Sequence, residues 1–238
     1  MAFSYAIPDL HGRADLLRDA LGAIAARSGG AALTLVLLGD YVDKGPGSRQ
    51  VIEALMALQA APPPGWRVIC LKGNHDLMMC NAVRDPATRD DWLGKGGEPA
   101  LASYGTTSAQ DVAAIPETHV AWLENLALMH ADRHRVFVHA GVDPAVPLEQ
   151  QSERTLLWKR YPASFTEGFG ERHVVHGHDR SRDGPLRFAG RTNLDTMAWS
   201  TGRLVVGVFD DDLPGGPVDL IEVKGPAAAD LSTAQPAP

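Results

Sequence analysis

Five short polar clusters carry the residue types that could do chemistry: Asp9-Leu-His11, Gly39-Asp40, Gly73-Asn74-His75-Asp76, His139-Ala-Gly141 and His176-Gly-His178. Most adjoin a glycine, which lets backbone and ligands approach closely. Carboxylate, imidazole and amide oxygen suit Mn, Fe or Zn, where a soft-metal site would need thiolates. Two such metals roughly 3.5–4 Å apart, bridged by a carboxylate and a hydroxide, form the usual machinery of phosphoester hydrolysis. Singly, each cluster is also explained by a solvated turn or a strand-end histidine. The five together, in this order, are not.

The elements that must position these clusters are legible from hydrophobic patterning. FSYAI (residues 3–7), ALTLVLL (32–38) and WRVICL (66–71) read as buried strands. Amphipathic helices follow the first two, RADLLRDALGAIAARSG and SRQVIEALMALQA, the second with Ser48 as its expected N-cap. Strand and helix in alternation predict a parallel sheet, whose ligands bind beyond the carboxyl ends of the strands. Asp9 to His11, Asp40 to Lys44 and Asn74 to Asp76 all fall at those ends. Residues 81–116 read as a partly helical insert overhanging the site. A helix (PETHVAWLENL) precedes a hairpin of LALMHA and RVFVHA, and RHVVHGHD is a strand ending in histidines. LRFAGRTNLDT and RLVVGVFD read as antiparallel strands, and VDLIEVK as the last. Residues 226–238 read as a flexible tail after a single domain, 1–225.

Composition narrows the function. The chain has 238 residues, 45% of them hydrophobic, and a formal net charge of -7. Such an acidic chain is poorly suited to a nucleic-acid backbone. No apolar stretch reaches the ~20 residues of a membrane span, and a strand starting at Phe3 leaves no room for a leader. Cys70 and Cys80 make no disulfide framework, so a reduced, cytoplasmic setting is expected. Oligomeric state is not encoded in any pattern of the sequence.

PDLHG (8–12), GDYVDKG (39–45), GNHD (73–76), HAG (139–141) and HGH (176–178) resemble the signature of the calcineurin-like metallophosphoesterase superfamily. Within it, GDYVDKGPGS resembles the phosphoprotein phosphatase group, particularly its small bacterial and phage enzymes. The likeness runs from about Phe3 to about Asp210. It implies a four-layer α-β-β-α sandwich within the α/β class. It also implies two divalent ions, manganese first, iron or zinc otherwise. Carried over by residue, Asp9 and His11 would hold one metal, Asp40 would bridge, and Asn74, His139 and His178 would hold the other. The family's late motif selects His178 over His176. His75 would protonate the leaving group, oriented by Asp43. Lys44, Asn74 and, through the likeness of LLWKR to the family's LWxR, Arg160 would bind phosphate.

Two departures stand out. Pro8 replaces a usual glycine and removes a backbone donor. Lys44 replaces a usual arginine and so loses the bidentate fork. The expected activity is phosphomonoester hydrolysis by metal-bridging hydroxide, on phosphoserine, phosphothreonine or phosphotyrosine in proteins. The alternatives are a dinucleoside tetraphosphate hydrolase and, from another class, an inactive phosphatase-like binding module. His119, His130, His134 and His173 lack motif context. The five tryptophans read as core or rim, and Asp195 as a strand-end turn or a neighbour of the site.

Overall fold

The computed structural model describes residues 2–108 and 111–228. In chain order the elements are β1 Phe3–Ile7, α1 Ala14–Ser28, β2 Leu33–Leu37, α2 Ser48–Ala60, β3 Trp66–Cys70, α3 Asn74–Arg84, α4 Arg89–Trp92, α5 Glu98–Ser103, α6 Glu117–Glu124, β4 Met129–Ala131, β5 Arg135–Val138, α7 Glu153–Trp158, β6 His173–His176, β7 Leu186–Arg187, β8 Arg191–Asn193, α8 Ala198–Thr201, β9 Arg203–Asp210 and β10 Asp219–Lys224. They build two five-stranded sheets, ordered β10-β9-β1-β2-β3 and β4-β5-β6-β8-β7.

The layering follows from the two-residue period of the strands. On β2, Leu33, Leu35 and Leu37 face the core shared with α1, α2 and α3, while Val36, with Leu38 just past the strand, faces the other sheet. Ala6, Val36, Phe137, Val175 and Phe209 come from both sheets and pack between them. Val136, Val138 and Val174 face outward under Leu156 of α7 and Leu148. The result is helices, sheet, sheet and a thin outer helical layer, the expected sandwich.

β1, β2 and β3 pair in parallel, with Phe3 beside Leu33 and Leu33 beside Trp66. Their exits therefore lie side by side. β5, β6 and β8 are also parallel neighbours, which brings His139 and the His176–His178 turn to the same end.

Two local expectations need correction. Ser48 is not a cap: Gly47 precedes the helix, and the Ser48 hydroxyl accepts the Asp43 backbone N–H at 3.0 Å. It braces a site loop instead. The two late segments also do not pair with each other. β8 lies in the second sheet, antiparallel to β7, whereas β9 lies in the first, antiparallel to β1 and β10. Both are buried on both faces, so apolar patterning alone does not say which sheet takes them. Of the predicted tail, residues 229–238 lie outside the described residues. Among the described residues, no helix is long and apolar enough to cross a membrane.

Candidate metal centre

The loops leaving β1, β2 and β3 are tied together by backbone. Leu10 and His11 both donate to the Asp40 carbonyl, at 3.0 and 2.8 Å. The Asp76 carboxylate accepts from the Asp40, Tyr41 and Gly73 amides at 2.8–2.9 Å. His11, Asp40, Asp43, Lys44 and His178 all have φ between 44° and 73°. Non-glycine residues seldom adopt this region, and such strain concentrates where side-chain aim matters.

These loops gather the expected ligands. His11 Nε2 lies 3.4 Å from Asp40 Oδ2 and 4.0 Å from Asp9 Oδ2. On the other side, His139 Nε2 lies 3.5 Å from Asp40 Oδ1. Asn74 Oδ1 sits 2.8 Å from His139 Nε2 and 3.0 Å from His178 Nδ1. Asp40 thus stands between two groups of donors, His11 and His75 in one, His139 and His178 in the other. Asp9 joins through its carboxylate, which accepts the His178 backbone N–H at 3.1 Å. Gly177 makes this approach possible, because a Cβ there would overlap Asp9 Oδ1.

The donor chemistry fits metal. His11 Nδ1 donates to the Val42 carbonyl and His139 Nδ1 to the Leu38 carbonyl, at 2.8 and 2.9 Å. Each bond leaves a lone pair on Nε2, aimed inward, as outer partners of ligating histidines do. Burial keeps the imidazoles neutral: His11 and His139 are pushed below the ordinary range, and His178 down to about 3. Among the described residues, the buried Nε2 of His178 has no hydrogen-bond partner. The Lys44 ammonium donates to His11 Nε2 at 2.7 Å, a cation seated among the same acceptors.

The carboxylates make a matching demand. Burial, then Asp195 and Asp40, push the Asp9 carboxyl well up. Burial also opposes charge on Asp40, but His139, His75, His11 and Lys44 outweigh it and hold that carboxyl low. A buried cluster of acids and lone pairs is stabilised by cations.

His75 Nδ1 lies 2.7 Å from Asp43 Oδ2, both buried. Lys44, His75, Lys95, Trp158, Arg160 and Arg180 line a cavity of about 360 Å³ over the Asp9–Asp40 floor. Arg160 is more than half exposed, with Asp179 3.6 Å from its guanidinium. His176 turns away: its Nδ1 lies 2.9 Å from the Gly177 carbonyl and its Nε2 3.2 Å from Arg191.

Cys70 and Cys80 are buried with thiols pushed up to about 12, so neither offers a thiolate nucleophile. Asp195 is buried beside the acids, and burial pushes its carboxyl up to about 6. It is also a turn residue, accepting from the Met197 amide. Trp92 and Arg180 were not singled out by sequence. Trp92 Nε1 donates to Asp43 Oδ1 at 2.9 Å, and a lone tryptophan in an insert carries no spacing signal. Asp76, the last residue of GNHD, proves to be the clamp on the Asp40 loop.

A family model described as calcineurin-like phosphoesterase matches residues 5–199. The chain belongs to that family. The family is dimetal-dependent. A symmetrical bis(5'-nucleosyl)-tetraphosphatase of Nitrosomonas europaea is 30% identical over 185 residues, 74% of this chain and 60% of that protein. One of the same name from Pseudomonas fluorescens is 30% identical over 145 residues, 59% of this chain and 42% of its own. The chain thus spans about half the length of these curated relatives. Among solved structures, a candidate diadenosine tetraphosphatase is 25% identical, with a TM-score of 0.62 over 94% of this chain and 93% of that one. A protein serine/threonine phosphatase from Saccharomyces cerevisiae is 18% identical with a TM-score of 0.62, over 94% of this chain and 81% of that one, a likeness of fold.

Proposed function

We propose that this metallophosphoesterase hydrolyses dinucleoside tetraphosphates symmetrically, through one catalytic domain formed by residues 1–225. The carrying observation is the cavity mouth. Four cationic side chains, Lys44, Lys95, Arg160 and Arg180, and one indole, Trp158, surround the metal-ligand cluster. A single phosphomonoester needs one clamp. Four cations suit a polyphosphate chain, and the indole offers a face to a base. The names of the curated relatives support the same substrate class.

Asp9, His11 and Asp40 would hold one divalent metal, and Asp40, Asn74, His139 and His178 the other. Two such ions supply Lewis-acid stabilisation of phosphate charge and an activated water. His75 stands at the cavity with its Nδ1 on Asp43, so its Nε2 is free to protonate the departing oxygen. Arg160 and Arg180 draw the polyphosphate over the cluster. Water adds to one phosphorus, the central P–O bond breaks, and two nucleoside diphosphates leave.

Incubating the manganese-loaded protein with diadenosine tetraphosphate, a phosphoserine peptide and p-nitrophenyl phosphate tests this. ADP as the sole nucleotide product, formed faster than phosphate leaves the peptide, is expected. Turnover of the peptide without the dinucleotide would restore the phosphoprotein reading. Metal uptake with no turnover of any of the three would mark a binding module.

A further inference from the structure

The 89–97 turn does more than overhang the cavity. Trp92 is fully buried, 1% exposed, and its indole N–H donates to Asp43 Oδ1 at 2.9 Å. The other oxygen, Asp43 Oδ2, meets His75 Nδ1 at 2.7 Å. Four residues on, the Gly96 carbonyl accepts the Lys44 backbone N–H at 2.8 Å. The same short turn therefore grips both Asp43 and Lys44, neighbours with φ of 73° and 63°. Gly97 packs flat on the Trp92 indole, where a Cβ would strike the ring. The Asp43 backbone N–H is held from the opposite side by Ser48.

We infer that Trp92 is a positioning residue for the leaving-group acid, acting through Asp43 to fix the plane in which His75 presents its Nε2. The indole N–H occupies one carboxylate oxygen, so the other faces the imidazole alone. Through Trp92 and Gly96 the 89–97 turn is thereby a brace for proton transfer, while its Lys95 lines the cavity that takes substrate. This rests on the proposed role of His75.

The test uses leaving groups. Phenyl phosphate, with a poor leaving group, needs protonation of the departing oxygen, while 2,4-dinitrophenyl phosphate does not. The variants are Trp92→Phe, replacement of Trp92 by benzothienylalanine, which keeps the bicyclic ring and removes only the N–H, and His75→Asn. For both Trp92 variants, kcat on phenyl phosphate should fall about 10- to 100-fold with KM within twofold, and kcat on the dinitrophenyl ester less than threefold. His75→Asn should show the same selectivity, larger, and adding the Trp92 change to it should cost nothing more. Equal losses on both esters in the benzothienylalanine protein, or additivity with His75→Asn, would overturn the brace while leaving His75 as the acid. Absence of leaving-group selectivity in His75→Asn itself would remove both.

Discussion

The Asp40 carboxylate and the His139 imidazole, from different sheets, meet at 3.5 Å in a fully buried site. The second oxygen of Asp40 faces His11 at 3.4 Å. One carboxylate therefore serves both halves of the cluster, and both halves should fail with it. Asp40→Asn keeps size and shape but gives up the charge. Metal content after gel filtration should drop from two ions per chain to one or fewer. Activity should fall by more than the roughly 10–100-fold that loss of a ligand's supporting partner costs. Retention of two manganese ions per chain would refute the bridging assignment.

Gly73 lies against Asp40 so closely that a Cβ would overlap its backbone nitrogen and its Oδ1. Backbone cannot swing aside as a side chain can, so the β2 and β3 exits would have to separate. Gly73→Ala should cost about 3 kcal/mol or more, and lower the melting temperature by roughly 6–12 °C. Gly22→Ala is the contrast. That glycine lies inside α1 with open space where its Cβ would stand, and the change should stabilise by ~0.5–1 kcal/mol. Thermal unfolding of both proteins reads the two signs. Equal effects would show that the approach of the strand exits is not constrained.

Much of this was legible beforehand, for a physical reason. Polar residues at the exits of several neighbouring parallel strands are brought to one place by the sheet, so Asp9, Asp40 and Asn74 announce themselves together, though none does alone. His178 and His176 are separable only through the resemblance, since both follow an apolar strand. Their different aims come from the φ of 64° at His178, which no composition encodes. Trp92, Ser48 and Asp76 were missed in their roles because each acts through a neighbour distant in sequence. The Asp43 loop collects hydrogen bonds from α4 and from the start of α2. Such convergence is a product of packing, not of local pattern.

His173 gives stability a pH dependence outside the metal cluster. It is buried on β6, with Nε2 2.9 Å from the Thr192 hydroxyl. Burial, then the Arg135 charge, pushes its pKa from the ordinary 6.5 down to about 4. The unfolded chain therefore binds this proton more tightly than the folded one. Its contribution is fully present above pH 6.5, shrinks as pH falls from 6.5 to about 4, and is gone below that, a span worth roughly 3 kcal/mol. His173→Gln, which cannot take the proton, should flatten urea-unfolding stability across that window. An unchanged slope would assign the acid sensitivity elsewhere.

Trp158 separates the nucleotide reading from the phosphoprotein one. The residue is 37% exposed, its ring lies 6.4 Å from the His178 ring, and the Lys95 ammonium stands 5.8 Å from the ring centre. The indole thus borders the histidine–carboxylate cluster on one side and open solvent on the other, where the proposed substrate would carry its base. Base–aromatic stacking is worth about 1–3 kcal/mol, so Trp158→Ala should raise KM for diadenosine tetraphosphate about 5- to 100-fold, with kcat little changed. p-Nitrophenyl phosphate has no second ring system to lose, and its KM should move less than twofold. Trp158→Phe, which keeps a stacking face, should recover most of the loss. Equal effects of Trp158→Ala on both substrates would reduce the indole to a support for His178 and withdraw the base-stacking argument.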